Sequence, residues 1–452
     1  MSNEQRIQIL RDKRDIINTV SPSFCTAKWL QTTLYLQNGY NHSCHHPSPH
    51  KIPVEEVLNN PAALHNSSYK KSQRLKMLSG ERPVECQYCW NIEDLNSDYF
   101  SDRHYKTSDD WAWDRFEEIS KADPSADVIP SYLEVSFSNA CNFKCSYCSS
   151  EISSKWLEEI NTYGPYPTTQ GNHNLTWLKD TGRYPYKHSD DNPYITAFWK
   201  WFPEVLPKLK VFRITGGEPL MSKDAWKSID YILENSKTPI EFAINSNLCV
   251  DDKLIDRLIL KINELQTAGH RVQIFTSIES TGKKVEYSRY GMDFTLWCKN
   301  LDRVLSETTV TVGIMTTVNV LSISDFNNFV DLIMEYRVKY NKDFAYNRIP
   351  MSINYLKWPP YLSVSILPKE YKEKITKDIL SHCEQWLKYY RKEKFARIYL
   401  EEWDQIKRLC EYTATSETDQ FAKDDFYRFI TEYDLRRNTD FQKVFPEYTG
   451  IL

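Results

Sequence analysis

Residues 132–148 read YLEVSFSNACNFKCSYC, a stretch typical of a strand followed at once by closely spaced cysteines. The cysteines are Cys141, Cys145 and Cys148, in the spacing C-x3-C-x2-C. Secreted disulfide scaffolds are short and dense in cysteine. This chain has 452 residues and an odd number of cysteines, 11, so its clustered thiols do not indicate a disulfide framework.

Composition and charge predict a soluble cytoplasmic protein. The N-terminal residues 1–20 are charged and amphipathic, without the apolar segment of a secretory signal. No stretch approaches the roughly 18 apolar residues of a membrane span. The formal charge of −4 and the pI of about 6.2 do not favour binding to nucleic acid or to a membrane. In a reducing compartment, clustered cysteines bind metal more often than each other.

The cysteine spacing leaves one metal ligand missing. Thiolates are soft ligands that suit zinc and iron–sulfur clusters. A bacterial ferredoxin run supplies a fourth cysteine a few residues on, followed by proline. Here Ser149 and Ser150 follow Cys148, and the next cysteine is Cys249. Three protein ligands leave a metal position open, as in a catalytic site and unlike a structural one.

A second motif lies in KVFRITGGEPLM, residues 210–221. An apolar stretch, predicted to be a strand, runs directly into Gly216, Gly217 and Glu218. Glycines at a strand end allow a ligand to approach the backbone closely. A carboxylate beside them can accept a charge-assisted hydrogen bond from an ammonium group. Turns often contain such a sequence, so the motif indicates a ligand site only in combination with the cysteines upstream.

Together the two motifs resemble those of the radical SAM enzymes. The resemblance implies that Cys141, Cys145 and Cys148 hold a [4Fe-4S] cluster with an open iron site. S-adenosylmethionine would chelate that iron through its amine and carboxylate. Its reductive cleavage yields a 5′-deoxyadenosyl radical, which abstracts hydrogen from a substrate. A zinc knot or incidental thiols are the alternative interpretation of these cysteines.

The resemblance also implies which residues bind S-adenosylmethionine. By matching position they are Tyr147, Gly216, Gly217, Glu218, Asn247, Ser277 and Arg289. Tyr147 would pack near the adenine, and the Gly-Gly-Glu motif would meet the methionine amine. Ser277 and Arg289 would lie near the carboxylate, for which a guanidinium is suited.

Two strand ends depart from the pattern of the relatives. Ser246 and Asn247 stand where relatives often have Thr-Asn-Gly, and Leu248 replaces the glycine. The Asp-Gly that usually follows the fourth strand is replaced by Glu279 and Ser280. The resemblance implies contacts with S-adenosylmethionine at both strand ends, although the residues beside them differ from the usual pattern.

Repeated strand–helix units follow the cysteine motif. Apolar and β-branched runs predict strands at 240–248, 271–280, 309–320 and 344–350. The run at 309–320 is nearly continuous, as in a strand that is buried on both faces. With the strands that lead into the two motifs the count is six, which matches the partial (β/α)6 barrel of the family. The predicted fold class is α/β.

The N-terminal 130 residues carry a cysteine pattern of their own. Its members are Cys25, Cys44, Cys86 and Cys89. Between the first two, an alternating run ends at the turn dipeptide Asn38-Gly39, which predicts a β-hairpin. The pattern C-x13-G-x4-C followed by C-x2-C resembles the twitch domain, a short form of the SPASM domain, which holds an auxiliary [4Fe-4S] cluster.

In most relatives the twitch domain follows the barrel, whereas here it would precede it, as in the N-terminal-twitch subgroup. Four thiolates would leave no open iron, so the expected role of this cluster is electron transfer. Structural zinc and the absence of any metal are the alternatives. Four thiolate ligands alone do not distinguish an iron–sulfur cluster from zinc. His42, His45 and His46 flank Cys44 and are expected to be solvated loop residues, with replacement of one cysteine ligand by a histidine as the alternative.

The predicted division of the chain is a twitch-like domain at 1–130, the barrel at 131–360 and a helical region at 361–452. Residues 160–193 are rich in Pro, Gly, Asn and Tyr, and would either cover the barrel mouth or form a surface insertion. The C-terminal region predicts three amphipathic helices. Cys383 and Cys410 lie within them and are expected to be packed thiols.

The substrate is predicted from the resemblance alone. A peptide or protein residue comes first, because twitch and SPASM relatives often modify peptides. Oxidation or rearrangement of a small molecule such as a carbohydrate is the alternative, and a non-catalytic metal-binding scaffold is a minor one. The expected partners are the substrate and a low-potential electron donor such as flavodoxin or ferredoxin. The residues indicate no general base.

Overall fold

The computed structural model describes residues 3–96, 98–171, 173–187, 190–389 and 396–452. The chain forms two compact units. The first unit comprises Met1–Asn139, Lys179–Ala243 and Ala268–Arg271, and the second comprises Ala140–Leu178, Ile244–Thr267 and Val272–Leu452. Across the described residues, no helix has both the length and the apolar character needed to cross a membrane.

The strands are numbered in chain order. They are β1 Gln31–Tyr35, β2 Tyr40–His42, β3 His50–Lys51, β4 Tyr132–Ser136, β5 Lys144–Cys145, β6 Val211–Thr215, β7 Glu241–Asn245, β8 Arg271–Ser277, β9 Arg289–Tyr290, β10 Thr311–Val318 and β11 Met351–Tyr355. Counted from residue 132 and without the two-residue strands, there are six, as predicted. The strands alternate with helices, so the chain is α/β.

The α-helices of the first unit are Asn3–Val20, Ala27–Leu30, Val54–Asn59, Ser68–Leu78, Gln87–Leu95, Asp102–Ser108, Asp110–Trp113, Phe116–Ser120, Pro193–Val205 and Lys223–Asn235. Those of the second unit are Ser154–Tyr163, Asp252–Thr267, Gly282–Ser288, Phe294–Glu307, Phe326–Tyr340, Lys369–Tyr389, Leu400–Thr415, Gln420–Arg437 and Phe441–Val444, and Leu175–Asp180 spans the boundary. The three predicted C-terminal helices are present, and Cys383 and Cys410 are buried within them, as expected.

In the first unit, the predicted hairpin extends a parallel sheet. Strands β1 and β2 pair antiparallel around Gly39, which confirms the hairpin. Strand β1 also pairs in parallel with β4, with Gln31 opposite Tyr132 and Tyr35 opposite Ser136. Strand β4 pairs in parallel with β6. The N-terminal cysteine region is therefore joined by backbone hydrogen bonds to the first barrel strand, which the sequence did not predict.

In the second unit, β10 pairs in parallel with β8 and with β11. These long parallel strands, with the helices between them, are consistent with the predicted partial barrel. The last strand was wrongly placed at 344–350, because it runs over Met351–Tyr355. Residues before it form a loop, in which the buried Arg348 donates hydrogen bonds to the carbonyls of Leu305 and Thr308, at 3.0 and 2.8 Å. These bonds pair with carbonyls at the C-terminal end of the helix Phe294–Glu307, where intrahelical partners are missing.

Gly39 sits where the hairpin turn needs both a left-handed backbone and free space. Its φ is +70°, and a Cβ at this position would overlap the ring of Tyr194. That ring is fully buried, and its hydroxyl donates to the Ile52 carbonyl at 2.8 Å. The ring is therefore not free to move aside, and the turn requires glycine.

We expect Gly39→Ala to lower the free energy of unfolding by at least about 2 kcal/mol. A left-handed residue with a Cβ costs roughly 1–2 kcal/mol, and overpacking adds a similar amount. Urea unfolding measures the effect, with Gly171→Ala as the matched control, because a Cβ there meets its nearest neighbour at 3.9 Å. Equal stability of the two variants would contradict the account of the turn.

Candidate active site and candidate metal centre

The loop that carries Cys141, Cys145 and Cys148 is held by backbone pairing within the second unit. Strand β5 pairs antiparallel with β9, with Cys145 opposite Arg289. The Ser146 amide donates to the Ser288 carbonyl at 2.7 Å. Gly291 has a φ of +103°, and a Cβ there would lie 2.7 Å from the Asn142 carbonyl oxygen. The loop thus packs closely against residues 288–291, where a side chain at 291 would not fit.

The helix after the loop, Ser154–Tyr163, contacts the loop carbonyls. The Trp156 indole donates to the Cys145 carbonyl at 2.8 Å, and the Ser153 hydroxyl donates to the Phe143 carbonyl at 2.7 Å. Ser153 also caps this helix by accepting from the Trp156 amide. The polar backbone of the loop is therefore satisfied by the residues that begin the next helix.

Glu159 links the loop to the C-terminal helix Gln420–Arg437. Its carboxylate lies 2.5 Å from the Lys144 ammonium and 3.3 Å from the Arg437 guanidinium, and it accepts from the Tyr166 hydroxyl at 2.6 Å. Glu159 and Arg437 are both buried. A buried carboxylate needs such partners, because its desolvation is otherwise unfavourable.

A buried ion pair lies beside the cysteine loop. The Arg289 guanidinium donates to the Glu279 carboxylate through Nε at 3.0 Å, and its Nη1 lies 3.9 Å from Cys145 Sγ. Burial raises the pKa of the Cys145 thiol, whereas the Arg289 cation lowers it. Although burial disfavours a charged Arg289, Glu279 holds its pKa above the ordinary value. The pair thus keeps a permanent positive charge next to a predicted metal ligand.

Tyr147 faces the same ion pair. Its hydroxyl lies 3.2 Å from a Glu279 carboxylate oxygen, and the Arg289 guanidinium lies 5.5 Å from the centre of its ring. Burial raises the pKa of Tyr147 well above its usual value, so the hydroxyl stays protonated and donates. Burial also raises the pKa of Cys148, to about 12.

Asn247 contacts the cysteine loop directly. Its amide donates to the Asn142 side-chain oxygen at 2.8 Å, and the Asn142 amide donates to the Cys249 carbonyl at 2.7 Å. Leu248 follows with a φ of +56°, in the left-handed region that favours glycine. The backbone at Leu248 therefore adopts a conformation that favours glycine, although the residue is leucine.

The Gly-Gly-Glu motif lies in the first unit, directly after β6. Gly216 has a φ of +128°, and a Cβ there would lie 2.8 Å from Ser136 Oγ and 3.0 Å from the Ser138 carbonyl oxygen. Ser136 in turn donates to Gln37 Oε1 of the hairpin at 2.9 Å. Glu218 is buried, and its carboxylate accepts from the Leu220 amide at 3.1 Å.

The predicted residues for S-adenosylmethionine and the metal are distributed over both units. In the second unit are Cys141, Cys145, Cys148, Tyr147, Asn247, Ser277 and Arg289, and in the first are Gly216, Gly217 and Glu218. Ser277 ends β8, half-buried and opposite Met315 of β10. Loop contacts within the second unit connect the cysteines to Asn247 and Arg289, as described above.

The four N-terminal cysteines come together in the first unit. Cys25, Cys44, Cys86 and Cys89 all line one cavity, although they span 65 residues of sequence. Three of them, with Trp29 and Trp90, also belong to the buried apolar cluster of this region. Burial raises the pKa of Cys44 and Cys89 to about 12 and that of Cys86 to about 11.

Each of these four sulfurs has a hydrogen-bond donor. The Ala27 amide and the Thr107 hydroxyl donate to Cys25, the His46 amide to Cys44, the Lys28 ammonium to Cys86 and the Arg103 amide to Cys89, whereas the nearby Ser101 hydroxyl donates to Glu93. Donors of this kind favour the thiolate over the thiol, and the thiolate is the form that binds metal.

Cations also line the four-cysteine cavity. They are Lys28, Arg103 and Lys106. Lys28 is ion-paired with Glu85, and Arg103 lies 2.8 Å from the Glu93 carboxylate. Burial disfavours the Lys28 ammonium, yet Cys86 and Glu85 raise its pKa above the ordinary value. Cations that are themselves ion-paired therefore lie beside the sulfurs, where they favour the thiolate form.

Neither cysteine set forms a compact group of three sulfurs among the described residues. Among the described residues, the His, Cys, Asp and Glu groups with ligand atoms within 4.8 Å of one another include no three cysteines. Thiolates around one zinc ion, at about 2.3 Å from it, lie only about 3.8 Å apart. Neither cysteine set has the compact arrangement of a single-ion thiolate site.

The histidines near Cys44 differ from expectation. We expected all three to be solvated, but His42 is only 6% exposed and its Nδ1 hydrogen-bonds to the Cys44 carbonyl. The His46 ring stacks on Tyr88, and only His45 of the three is exposed. Packing of the loop against the hairpin and the helix at Gln87–Leu95 explains the burial.

Several residues of these sites were not identified from the sequence. They are Glu279, Lys28, Arg103, Ser101 and Thr107. Glu279 carried a signal, since an acidic residue ends an apolar strand at the place where relatives differ. Lys28 follows Cys25 by three residues, which brings the two near one another in a helical turn. Ser101, Arg103 and Thr107 lie far along the chain and gave no local signal.

Comparison with known proteins identifies the central domain. The model of the Radical SAM superfamily matches residues 135–333. A curated relative, GTP 3',8-cyclase from Sulfurimonas denitrificans, is 24% identical over 217 residues, which are 48% of this chain and 54% of the relative. The chain thus spans about half the length of that relative.

Residues 135–333 therefore match a radical SAM superfamily domain. The family implies one [4Fe-4S] cluster and S-adenosylmethionine. The donor set on residues 141–148 fits such a cluster, because this segment offers three thiols beside the Arg289 cation and contains no fourth cysteine.

We expect Glu279→Gln to lower the free energy of unfolding by about 3–5 kcal/mol, because Arg289 would be left as an uncompensated buried charge. The matched control is Glu241→Gln, whose ion pair with Arg271 is exposed, with 51% and 79% of the two side chains accessible. We expect a loss below about 1 kcal/mol there. Urea unfolding measures both, and equal losses would contradict the role assigned to the buried pair.

Proposed function

We propose that the protein cleaves S-adenosylmethionine reductively at a [4Fe-4S] cluster held by Cys141, Cys145 and Cys148. The single observation that carries this is the loop of three thiols and no fourth, in the domain matched to the radical SAM superfamily. When bound, the cluster and S-adenosylmethionine supply a 5′-deoxyadenosyl radical that abstracts a hydrogen atom from the substrate.

The chain's own residues have positioning and binding roles in this proposal. Arg289, held by Glu279, places a positive charge 3.9 Å from Cys145 Sγ and favours its thiolate. Tyr147 and Asn247 border the loop and are proposed to contact S-adenosylmethionine, with Ser277. The Arg289 guanidinium is paired with Glu279 and is also proposed to face the carboxylate of S-adenosylmethionine.

Gly216, Gly217 and Glu218 are proposed to receive the methionine amine. The turn leaves no room for a side chain at Gly216, which keeps the backbone open to a ligand. Glu218 is buried and, through Leu220, already fixed in one orientation. A carboxylate held in this way can accept from an ammonium group without further ordering.

A second cluster is proposed for Cys25, Cys44, Cys86 and Cys89, as in the twitch domain. Four thiols line one cavity, every sulfur has a donor, and Lys28 and Arg103 offset the negative charge. Four thiolates suit either a cluster or a single zinc ion, and the likeness to the twitch domain favours the cluster. Its proposed role is electron transfer, since four ligands leave no iron open.

For the substrate, two classes are proposed. A peptide or protein residue follows from the likeness to twitch and SPASM enzymes. A small molecule is the second candidate, and the relative named GTP 3',8-cyclase favours it. Formation of 5′-deoxyadenosine that rises with an added peptide, or instead with a nucleotide such as GTP, separates the two. A low-potential donor such as flavodoxin or ferredoxin is the proposed partner.

Cys145→Ala is expected to abolish S-adenosylmethionine cleavage, because two thiolates do not hold the catalytic cluster. The measurement is 5′-deoxyadenosine formed by reduced, anaerobically reconstituted protein. Cys298→Ala is the matched control and should retain cleavage, since Cys298 lies outside both cysteine sets. Cleavage that persists in Cys145→Ala would overturn the assignment.

The triple variant Cys141→Ala, Cys145→Ala and Cys148→Ala is expected to keep about four irons and four sulfides per chain, because the N-terminal thiols are untouched. Adding Cys86→Ala should remove most of them. Iron and sulfide analysis with a Mössbauer spectrum gives the result. Zinc in their place, or no metal, would show that the proposed auxiliary cluster is wrong and would leave the first cluster unaffected.

A further inference from the structure

We propose that His45, His46 and Asp102 bind a divalent transition-metal ion beside the four-cysteine cavity, as a separate site. The ligand atoms of these three residues all lie within 4.8 Å of one another. His46 and Asp102 line the cavity wall, and His45 does not. The inference does not depend on which metal the four cysteines hold.

The distances match ligands of one ion. Both imidazoles converge on one oxygen of Asp102, with His46 Nε2 at 2.6 Å and His45 Nε2 at 3.5 Å from Oδ2. Ligand atoms at about 2.1 Å from a common ion lie roughly 3.0–3.4 Å apart in octahedral or tetrahedral geometry. The observed distances bracket that range, so small side-chain rotations would complete the site.

An imidazole–carboxylate hydrogen bond does not account for the whole arrangement. It explains the contact of His46 with Asp102, but His45 at 3.5 Å is too far to donate well. The two imidazole rings lie 4.2 Å apart, and the His46 ring is fixed by stacking on Tyr88 at 3.6 Å and 12°. A cation bound between the two imidazoles and the Asp102 carboxylate would hold the His45 ring in this position.

The ligand chemistry selects the ion. Two imidazole nitrogens and one carboxylate oxygen suit zinc, iron(II) and related first-row ions better than magnesium or calcium. Three protein ligands leave positions open. The side chain of His45 is 60% exposed, so the ion has an entry path from solvent. The site is thus suited to an exchangeable ion that also binds water or an oxygen ligand from outside the chain.

The probe is Co2+, added to full-length protein that has been reconstituted with iron and sulfide and then desalted. We expect one Co2+ per chain, with visible ligand-field bands and without the near-ultraviolet charge transfer that thiolate ligands add. His45→Ala and Asp102→Asn should each weaken binding at least about 100-fold, more than the usual effect of an outer-shell change. Iron and sulfide are counted in every sample.

His382→Ala is the matched control, because His382 also pairs with a carboxylate, Asp331, at 2.7 Å. It should bind Co2+ like the unaltered protein. The proposal is overturned if the unaltered protein takes up no Co2+, if the His45 and Asp102 variants bind as it does, or if thiolate charge transfer appears. Loss of iron from His45→Ala would also overturn it, since His45 would then belong to the cluster site. If the four N-terminal cysteines hold no cluster, the unaltered protein will contain about four irons per chain instead of about eight. That result would leave the test of the Co2+ site unaffected.

Discussion

A thiol must lose its proton to bind iron, and burial opposes that loss at both cysteine sites of this protein. The two sites share a solution. Cys145 lies beside the Arg289 guanidinium, and the N-terminal sulfurs lie beside Lys28, Arg103 and backbone amides. Positive charge and hydrogen-bond donors lower the pKa of these thiols against the larger effect of burial, which raises it. The cysteines are thus one part of each site, and their donors are the other.

The cations need partners of their own, because a buried guanidinium or ammonium is as unfavourable as a buried thiolate. Glu279 holds Arg289, and Glu85 and Glu93 hold Lys28 and Arg103. At each site a carboxylate is ion-paired with a cation and holds that cation beside the sulfur atoms. Such sets are rigid, which suits a site that must keep several ligands at fixed positions.

The segments on either side of the radical SAM domain contribute to its motifs. In the first unit, Ser136 hydrogen-bonds to Gln37 of the hairpin. Ser136 also packs against Gly216, where an added Cβ would lie only 2.8 Å from the Ser136 hydroxyl oxygen. In the second unit, Arg437 of a C-terminal helix reaches Glu159, which also binds Lys144 of the cysteine loop. Both contacts are between residues far apart in sequence. The motif residues thus depend on the segments that flank the domain for their orientation.

The sequence by itself determined the α/β class, the six strands from residue 132, the hairpin at Gly39 and the two cysteine sets, because period, turn chemistry and ligand spacing are local properties. It misplaced the last strand, since Arg348 forms its bonds with carbonyls some 40 residues away. Only the tertiary structure decided the pairing of β1 with β4, the ion pair of Arg289 with Glu279 and the approach of Asp102 to His45 and His46. These are contacts between distant segments, which local patterns do not encode.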